Sequence, residues 1–502
     1  MADNILPARR SVLAALGAVP LAAALPKAAW AAPSFDARIR EIIERPEFAG
    51  SQWGISIQGP DGPLYQLDAD RQFQAASAMK VFIAGTAFHA LGADRRFRTT
   101  IYGTGPVVKG VLRGDLVLVA GGDMLLGGRV RRDGTLRLPD PDHTYGAVPG
   151  AGPVGGDPLG TLRELACRLA DRGIRRIDGR VVVDASLFRE ARESIANGNV
   201  MVTVSPMMVN DNVIDVVIEP GRRAGAPAVL RVTPETGYVR IRNEVTTVEG
   251  PAARPLVLAE DGALSGEIAL GQSLFRAYYI PAPARFAAVA FSEVLRDNGI
   301  RVLSEEVEPG VRTPLTEHVS PPLPEQLKVM LKVSSNVHTA MWPHVVGAGH
   351  DNPKEAYHAF RRELFGRAGI EPDPPGATEG LYTPTLFTQF LMHLKREPYF
   401  APFRQALPIM GRDGSLAKVQ VGSPAAGHVH AKTGTAMMMG PQGMLHKALA
   451  GYIRQPNGRW LAFGTFMNQR VAPPALPMEL ASLAGEAMGE IATAAYLGLE
   501  AS

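Results

Sequence analysis

An α+β fold with a β-rich insertion is what this sequence predicts, and three observations carry it. The chain has 502 residues, 46% hydrophobic and 20% charged, enough for two or three domains built on sizeable cores. Its two ends combine helical stretches with strand hairpins that together make one layered domain. Between them runs a glycine- and proline-rich region of short strands, part of a total of 53 Gly and 41 Pro.

The elements follow in order. Residues 35 to 45 read as a short helix. Trp53 to Gln58 and Leu64 to Leu67 flank the turn Gly59-Pro60-Asp61-Gly62, giving strand, turn, strand. Met79 to Leu91 is apolar and rich in helix formers. Phe97 to Tyr102, Val107 to Leu112 and Leu116 to Val119 are further strands, and residues 126 to 157 read as a long loop. The middle continues with a helix at Leu162 to Arg172 and strands at Arg180 to Val183, Val213 to Ile218, Val229 to Val232, Val239 to Ile241, Leu256 to Leu258 and Ser265 to Leu270. Helices are expected at 284–298, 323–333, 337–346, 353–366 and 386–395, with a strand at Ile300 to Leu303. His428 to Lys432, Leu445 to Ile453 and Arg459 to Met467 close a sheet, and 477–496 is an alanine-rich helix. The expected division is 1–31 signal peptide, 32–105 first part of the catalytic domain, 106–283 inserted accessory domains and 284–502 second part.

The N-terminus reads as an export signal. Arg9-Arg10 precedes the apolar stretch Val12 to Leu25, and Ala29-Trp30-Ala31 offers small residues for cleavage after Ala31. The paired arginines resemble a twin-arginine signal, although Ser11-Val12-Leu13-Ala14 departs from that motif, so the general secretory route stays open. A periplasmic, soluble or peripherally membrane-associated mature chain is expected. The single cysteine, Cys167, excludes an intrachain disulfide and a cysteine-based metal site. Net charge is +3, and no basic block carries interleaved aromatics, so nucleic acid is not an expected partner.

Chemistry enters with Ser77-Ala78-Met79-Lys80. A serine hydroxyl is a weak nucleophile at neutral pH and needs a base beside it. One helical turn puts Ser77 and Lys80 on the same face, and a lysine can be that base when burial and neighbouring cations lower its pKa. A second copy, Ser415-Leu416-Ala417-Lys418, follows the turn signal Gly411-Arg412-Asp413-Gly414, so no long helix is expected there. Ser334-Ser335-Asn336 lies between two predicted helices, and Lys432-Thr433-Gly434-Thr435 ends a predicted strand. A helix cap and an edge strand would account for either alone. In this order and setting the three match the Ser-x-x-Lys, Ser-x-Asn and Lys-Thr-Gly set of penicillin-recognising serine enzymes.

The 254 positions between Lys80 and Ser334 narrow the match. The chain resembles the penicillin-binding protein 4-type D-alanyl-D-alanine carboxypeptidase/endopeptidase family, peptidase family S13, in which domains are inserted between the first two motifs. Val111 to Leu118, Gly121-Gly122-Asp123 and Gly173 to Gly179 also resemble family sequence. The resemblance implies a penicillin-binding-protein/β-lactamase-like transpeptidase domain, an antiparallel sheet flanked by helices, acting on peptidoglycan stem peptides and crosslinks and binding β-lactams covalently. It implies Ser77 as nucleophile, Lys80 as base, and Ser334 and Lys432 as the proton route to the leaving amine. Asn336 would hold Lys80 and the substrate amide, and the N–H groups of Ser77 and Thr435 would form the oxyanion hole. Lys432, Thr433 and Thr435 would receive the terminal carboxylate, and Gly434 would let substrate approach the strand. No metal or other cofactor is implied, and a homodimer is left open. The departures are Ser335 at the centre of motif two, where the family usually has Asp, and Gly376 to Tyr382, where it tends to have Gly-Ser-Gly-Leu-Ser. His338 is expected to be a satisfied helix histidine rather than a cleft residue. Alternatives of other classes are a secreted serine esterase or β-lactamase with the same machinery, and a non-catalytic peptidoglycan-binding protein.

Overall fold

The computed structural model describes residues 34–195, 200–307, 310–438, 443–471 and 477–498. The expected signal peptide lies outside them.

A five-stranded antiparallel sheet organises the molecule. Its order is Gly62–Leu67, Gln52–Gly59, Trp460–Arg470, Met444–Arg454, Val429–Met438, so strands from both ends of the chain share one sheet. Side chains alternate between its faces. Ile55, Ile57, Leu449 and Phe463 point to the face covered by the helices Phe35–Ile43 and Pro477–Leu497. The alanine-rich sequence of the second helix lets it sit close: Ala484, Ala487 and Ala495 are fully buried against the sheet.

The other face is covered by a helical layer around Lys80–Leu91. Every residue from Lys80 to Phe88 is buried, which is why the segment is apolar all round rather than amphipathic. Phe82 anchors it, with ring centroids 4.6 Å from Phe387 and 4.9 Å from Phe390 on the helix Pro384–Leu394. Truncating such a side chain to alanine costs about 3–5 kcal/mol. The helices Leu323–Lys332, Asn336–Val346 and Pro353–Arg367 complete the layer.

The region between the first two motifs is β-rich and pairs with segments on either side of it. Arg98–Gly103 pairs with both Leu116–Val119 and Thr313–Val319, and Val181–Asp184 continues that sheet. The helix Pro283–Asp297 shares a core with Gly160–Asp171 through Phe286, Phe291, Leu162 and Leu165. Arg98–Gly103, Pro283–Asp297 and Thr313–Val319 thus pack with the strands and helix between them. An outer lobe is built from Val213–Glu219 with its neighbours Val229–Thr233 and Leu274–Tyr279, and from Arg242–Val248 with Ala263–Ala269.

Two strand expectations need correction, and some strands were not expected. The strand placed at Val239 to Ile241 is Arg242–Val248, whose polar start, Arg242-Asn243-Glu244, hides it in sequence. Leu274–Tyr279 and the hairpin Ala191–Ile195 with Val200–Val204 were not anticipated. Val107 to Leu112 is a tight two-strand turn rather than one strand. Among the described residues no helix is long and apolar enough to cross a membrane.

Candidate active site

The first motif sits at the entrance to the buried helix. A 3₁₀ turn, Ala76–Met79, leads into an α-helix that begins at Lys80, so Ser77 lies one turn before it. Two backbone features hold this turn. Ala76 is in the left-handed region with φ 46°, a conformation that a non-glycine residue keeps only when its surroundings enforce it. The preceding strand Phe73–Gln74 pairs with Leu381–Tyr382, and Ala75 N donates to Gly380 O at 3.1 Å. The stretch Gly376 to Tyr382, where the sequence departs from the family pattern, thus braces the turn that carries Ser77 from outside.

Lys80 is 2% exposed. Its Nζ donates to Ser334 O at 2.6 Å, Ser334 Oγ at 3.1 Å and Asn336 Oδ1 at 2.7 Å. Burial, reinforced by the Lys432 charge, pulls the Lys80 amine well below its ordinary value. Lys432, fully buried, donates to the other side of the same hydroxyl, Ser334 Oγ, at 2.9 Å, and to Thr433 O at 2.8 Å. Burial lowers Lys432 to about 7, opposed by Asp140 on the cleft rim and assisted by Lys447. One serine hydroxyl therefore stands between two lysines, both lowered from their ordinary value by burial. Ser334 is itself held at φ 59°.

The third motif closes the cleft from the edge of the sheet. A Cβ on Gly434 would lie 2.4 Å from Ala75 O and 3.1 Å from Ala78 N. The space freed by the missing side chain is thus filled by the turn that carries Ser77. Thr433 Oγ1 lies 2.8 Å from Ser415 Oγ, and Thr435 Oγ1 accepts from Lys447 Nζ at 2.8 Å. Partial burial holds Lys447 at about 8. The three motifs thus meet: Lys80 and Lys432 share Ser334 Oγ, Asn336 binds Lys80, and Gly434 packs on the turn that carries Ser77.

The second motif is fastened to the accessory layer. Ser335 caps the helix Asn336–Val346, accepting from His338 N at 3.3 Å, and its hydroxyl is 2.9 Å from Thr144 Oγ1. Tyr145 OH donates to Ser334 O at 2.8 Å. Behind them lies a buried ionic network. Asp211 accepts from Arg129 at 2.8 Å and meets His143 at 2.9 Å and His338 at 2.5 Å, while Arg129 also pairs with Asp142. Its carboxyl is held well below the usual range: burial opposes this, and the Arg129 charge with the two histidine hydrogen bonds overcomes it. His338, as expected, is a buried helix histidine and not a cleft residue. Asn210, Asp211 and Asn212 all have positive φ, a turn that aims Asp211 into the network.

Sequence reading missed Tyr145, Thr144, Asp140, Ser415 and Lys447. Only Ser415 carried a signal, the repeated Ser-x-x-Lys pattern. Thr144, Tyr145 and Asp140 are brought in by tertiary contacts from far along the chain, and Lys447 by its register opposite Thr435 on the neighbouring strand. Among the described residues no group of three or more His, Cys, Asp or Glu is placed to hold a metal ion.

Comparison with known proteins places this site in a family. The family model described as the D-Ala-D-Ala carboxypeptidase 3 (S13) family matches residues 35–485. A D-alanyl-D-alanine carboxypeptidase from an Actinomadura species is 26% identical over 487 residues, covering 88% of this chain and 82% of the relative. The D-alanyl-D-alanine carboxypeptidase DacB of Haemophilus influenzae is 23% identical over 424 residues, covering 78% and 80%. The crystal structure of penicillin binding protein 4 from Haemophilus influenzae superimposes with a TM-score of 0.66 at 20% identity, covering 91% of this chain and 99% of that one. Its structure in complex with a β-lactam gives 0.63 over 90% and 98%. The fold is thus the α+β penicillin-binding-protein type, and the chain belongs to the D-Ala-D-Ala carboxypeptidase 3 (S13) family of serine-type D-Ala-D-Ala carboxypeptidases/endopeptidases.

Proposed function

We propose that the chain hydrolyses D-alanyl-D-alanine bonds of peptidoglycan stem peptides, and crosslinks ending in D-alanine, through an acyl-enzyme on Ser77. The supporting observation is the shared Ser334 hydroxyl, 3.1 Å from Lys80 Nζ and 2.9 Å from Lys432 Nζ. Neutral Lys80 takes the Ser77 proton as Oγ bonds to the scissile carbonyl carbon. The N–H groups of Ser77 and Thr435 hold the oxyanion. Ser334 passes a proton from the lysine pair to the leaving amine as the C–N bond breaks, and water then hydrolyses the ester. Asn336 orients Lys80 and the substrate amide. Charged Lys432, with Thr433 and Thr435, receives the terminal carboxylate, whose arrival favours the ammonium form.

Digestion of purified muropeptides, with products identified by mass, tests this reading. Loss of one terminal D-alanine reports the carboxypeptidase, and halving of crosslinked dimers the endopeptidase. Neither product would sink the proposal. Slow turnover of the penicilloyl-enzyme is expected, whereas rapid release would favour the β-lactamase reading. Penicillin labelling without peptide cleavage would favour binding alone.

The place of work is the periplasm, where peptidoglycan is reached after export directed by residues 1–31. The mature protein is expected to begin at Ala32, and N-terminal sequencing that finds Met1 on it would refute this. Replacing Arg9 and Arg10 by lysines distinguishes the twin-arginine from the general route. Peripheral membrane association and a homodimer are the remaining parts of this reading, checked by salt-wash fractionation and light scattering.

A further inference from the structure

The stretch 126–157 belongs to the accessory layer, yet its centre, the short turn His143–Tyr145, reaches the second motif. The Ser334 carbonyl oxygen accepts two hydrogen bonds there, from Lys80 Nζ at 2.6 Å and from Tyr145 OH at 2.8 Å. A carbonyl oxygen has two lone pairs, so both bonds form, but each donor reduces what the oxygen offers the other. An ammonium gains more from a strong acceptor than a neutral amine does. A second donor on the same oxygen therefore disfavours the charged form of Lys80.

The turn that carries Tyr145 is held firmly. Thr144 Oγ1 meets Ser335 Oγ at 2.9 Å, Asp142 accepts from Thr144 N at 3.0 Å, and Tyr279 OH donates to Thr144 O at 2.9 Å. His143 is wedged between Asp211 and Asp215, 2.9 Å from each. The phenol has little freedom to leave the carbonyl.

We propose that Tyr145 is a positioning residue for the general base, donating its hydroxyl to the Ser334 carbonyl and thereby keeping the Lys80 amine in its free-base form. The inference rests on the reading of Lys80 as the base. The groups that meet Lys80 are Lys432 from the closing strand and Ser334 and Asn336 from the second motif, and Tyr145 from the turn shares the Ser334 carbonyl with it. Asp140 and Lys447 act on Lys432 in turn, and the Asp211 network with His338, His143, Arg129 and Asp142 lies behind the motif. Burial pushes the Tyr145 phenol up to about 12, so it remains a neutral donor across the working range.

The test is the pH dependence of single-turnover acylation by a neutral thioester, which lacks a carboxylate and so leaves out that part of the Lys432 role. Tyr145→Phe should move the acid limb upward by about half to one pH unit, the worth of one hydrogen bond. Acylation would then fall about three- to tenfold below the limb and rejoin the parent above it. Fluorotyrosine at position 145, a stronger donor of the same shape, should move the limb downward, and serves where Tyr145→Phe folds poorly. Thr144→Val, which loosens the turn but keeps the phenol, should lower the rate without displacing the limb. An unmoved limb in both Tyr145 substitutions, or a uniform loss at every pH, would overturn the inference. Lys80→Ala separates the two readings. If it retains the parent's acid limb, the assignment of the base fails and the inference with it. If it loses the limb while the Tyr145 substitutions leave it in place, only the inference about Tyr145 fails.

Discussion

Ser77–Lys80 and Ser415–Lys418 share one sequence pattern and flank one strand. Alternation along Val429–Met438 sends Gly434 toward Ala75 and Thr433 toward Ser415. The first copy opens a twelve-residue helix that is buried on every side, so its lysine enters the interior and loses hydration. The second opens a three-residue 3₁₀ turn, and Lys418 stays exposed. What separates them is therefore the fate of the lysine. Burial and the facing Lys432 charge lower the Lys80 amine, as the proposed base role requires. Ser415 is nonetheless no bystander, since its hydroxyl touches a residue of the third motif.

The largest expected effect breaks the comparison at its centre. Ser77→Ala should abolish covalent labelling by penicillin, while Ser415→Ala should leave the label in place. Peptide mapping decides, and an adduct on the peptide carrying Ser415 would reverse the assignment.

Lys80→Ala comes next. It should slow acylation by about 10²–10⁴-fold for every substrate, the usual worth of a general base. Lys418→Ala should change the rate little. Lys432→Ala should damage carboxylate-bearing peptides and penicillin far more than a neutral thioester. Equal proportional losses in both lysine variants would remove the division of roles.

Gly434→Ala sharpens the comparison from the strand. A methyl group 2.4 Å from Ala75 O must push the Ser77 turn aside. A displacement of about 1 Å costs on the order of 10²-fold in rate. Acylation should fall while Ser415, on the other face, keeps its contact with Thr433.

The pH profile separates the lysines without mutation. A base works deprotonated, so activity should rise as pH rises through the lowered Lys80 value. A carboxylate receiver works protonated, so kcat/KM for carboxylate substrates should decline as pH rises through the Lys432 value of about 7 in the free enzyme. The neutral thioester should show a much weaker alkaline decline. Identical alkaline limbs for both substrates would contradict this.

Ser415→Ala should have the smallest effect. Losing the 2.8 Å contact that orients Thr433 removes about 0.5–1.5 kcal/mol, a roughly two- to tenfold loss on carboxylate substrates. Steady-state comparison with the thioester, which should be unaffected, checks it.

The motifs and most helices were legible in the sequence because their causes are local. Met79 to Leu91 is apolar because that helix is buried all round, and the hairpin near 445–467 is written in its turn at Gln455 to Gly458. Ser334-Ser335-Asn336 reads as a helix entrance because Ser335 caps the helix that follows. The spacing of the three motifs likewise announced an insertion. Where that insertion ends was not legible: Thr313–Val319 joins Arg98–Gly103 across more than two hundred residues, and such pairing depends on register between distant segments. The use of Gly434, the contact of Ser415 with Thr433 and the approach of Tyr145 to Ser334 were also decided only by the tertiary structure. Each depends on two segments meeting in space, and a side chain's hydrogen-bond partner across a fold leaves no mark on its own neighbours in the chain.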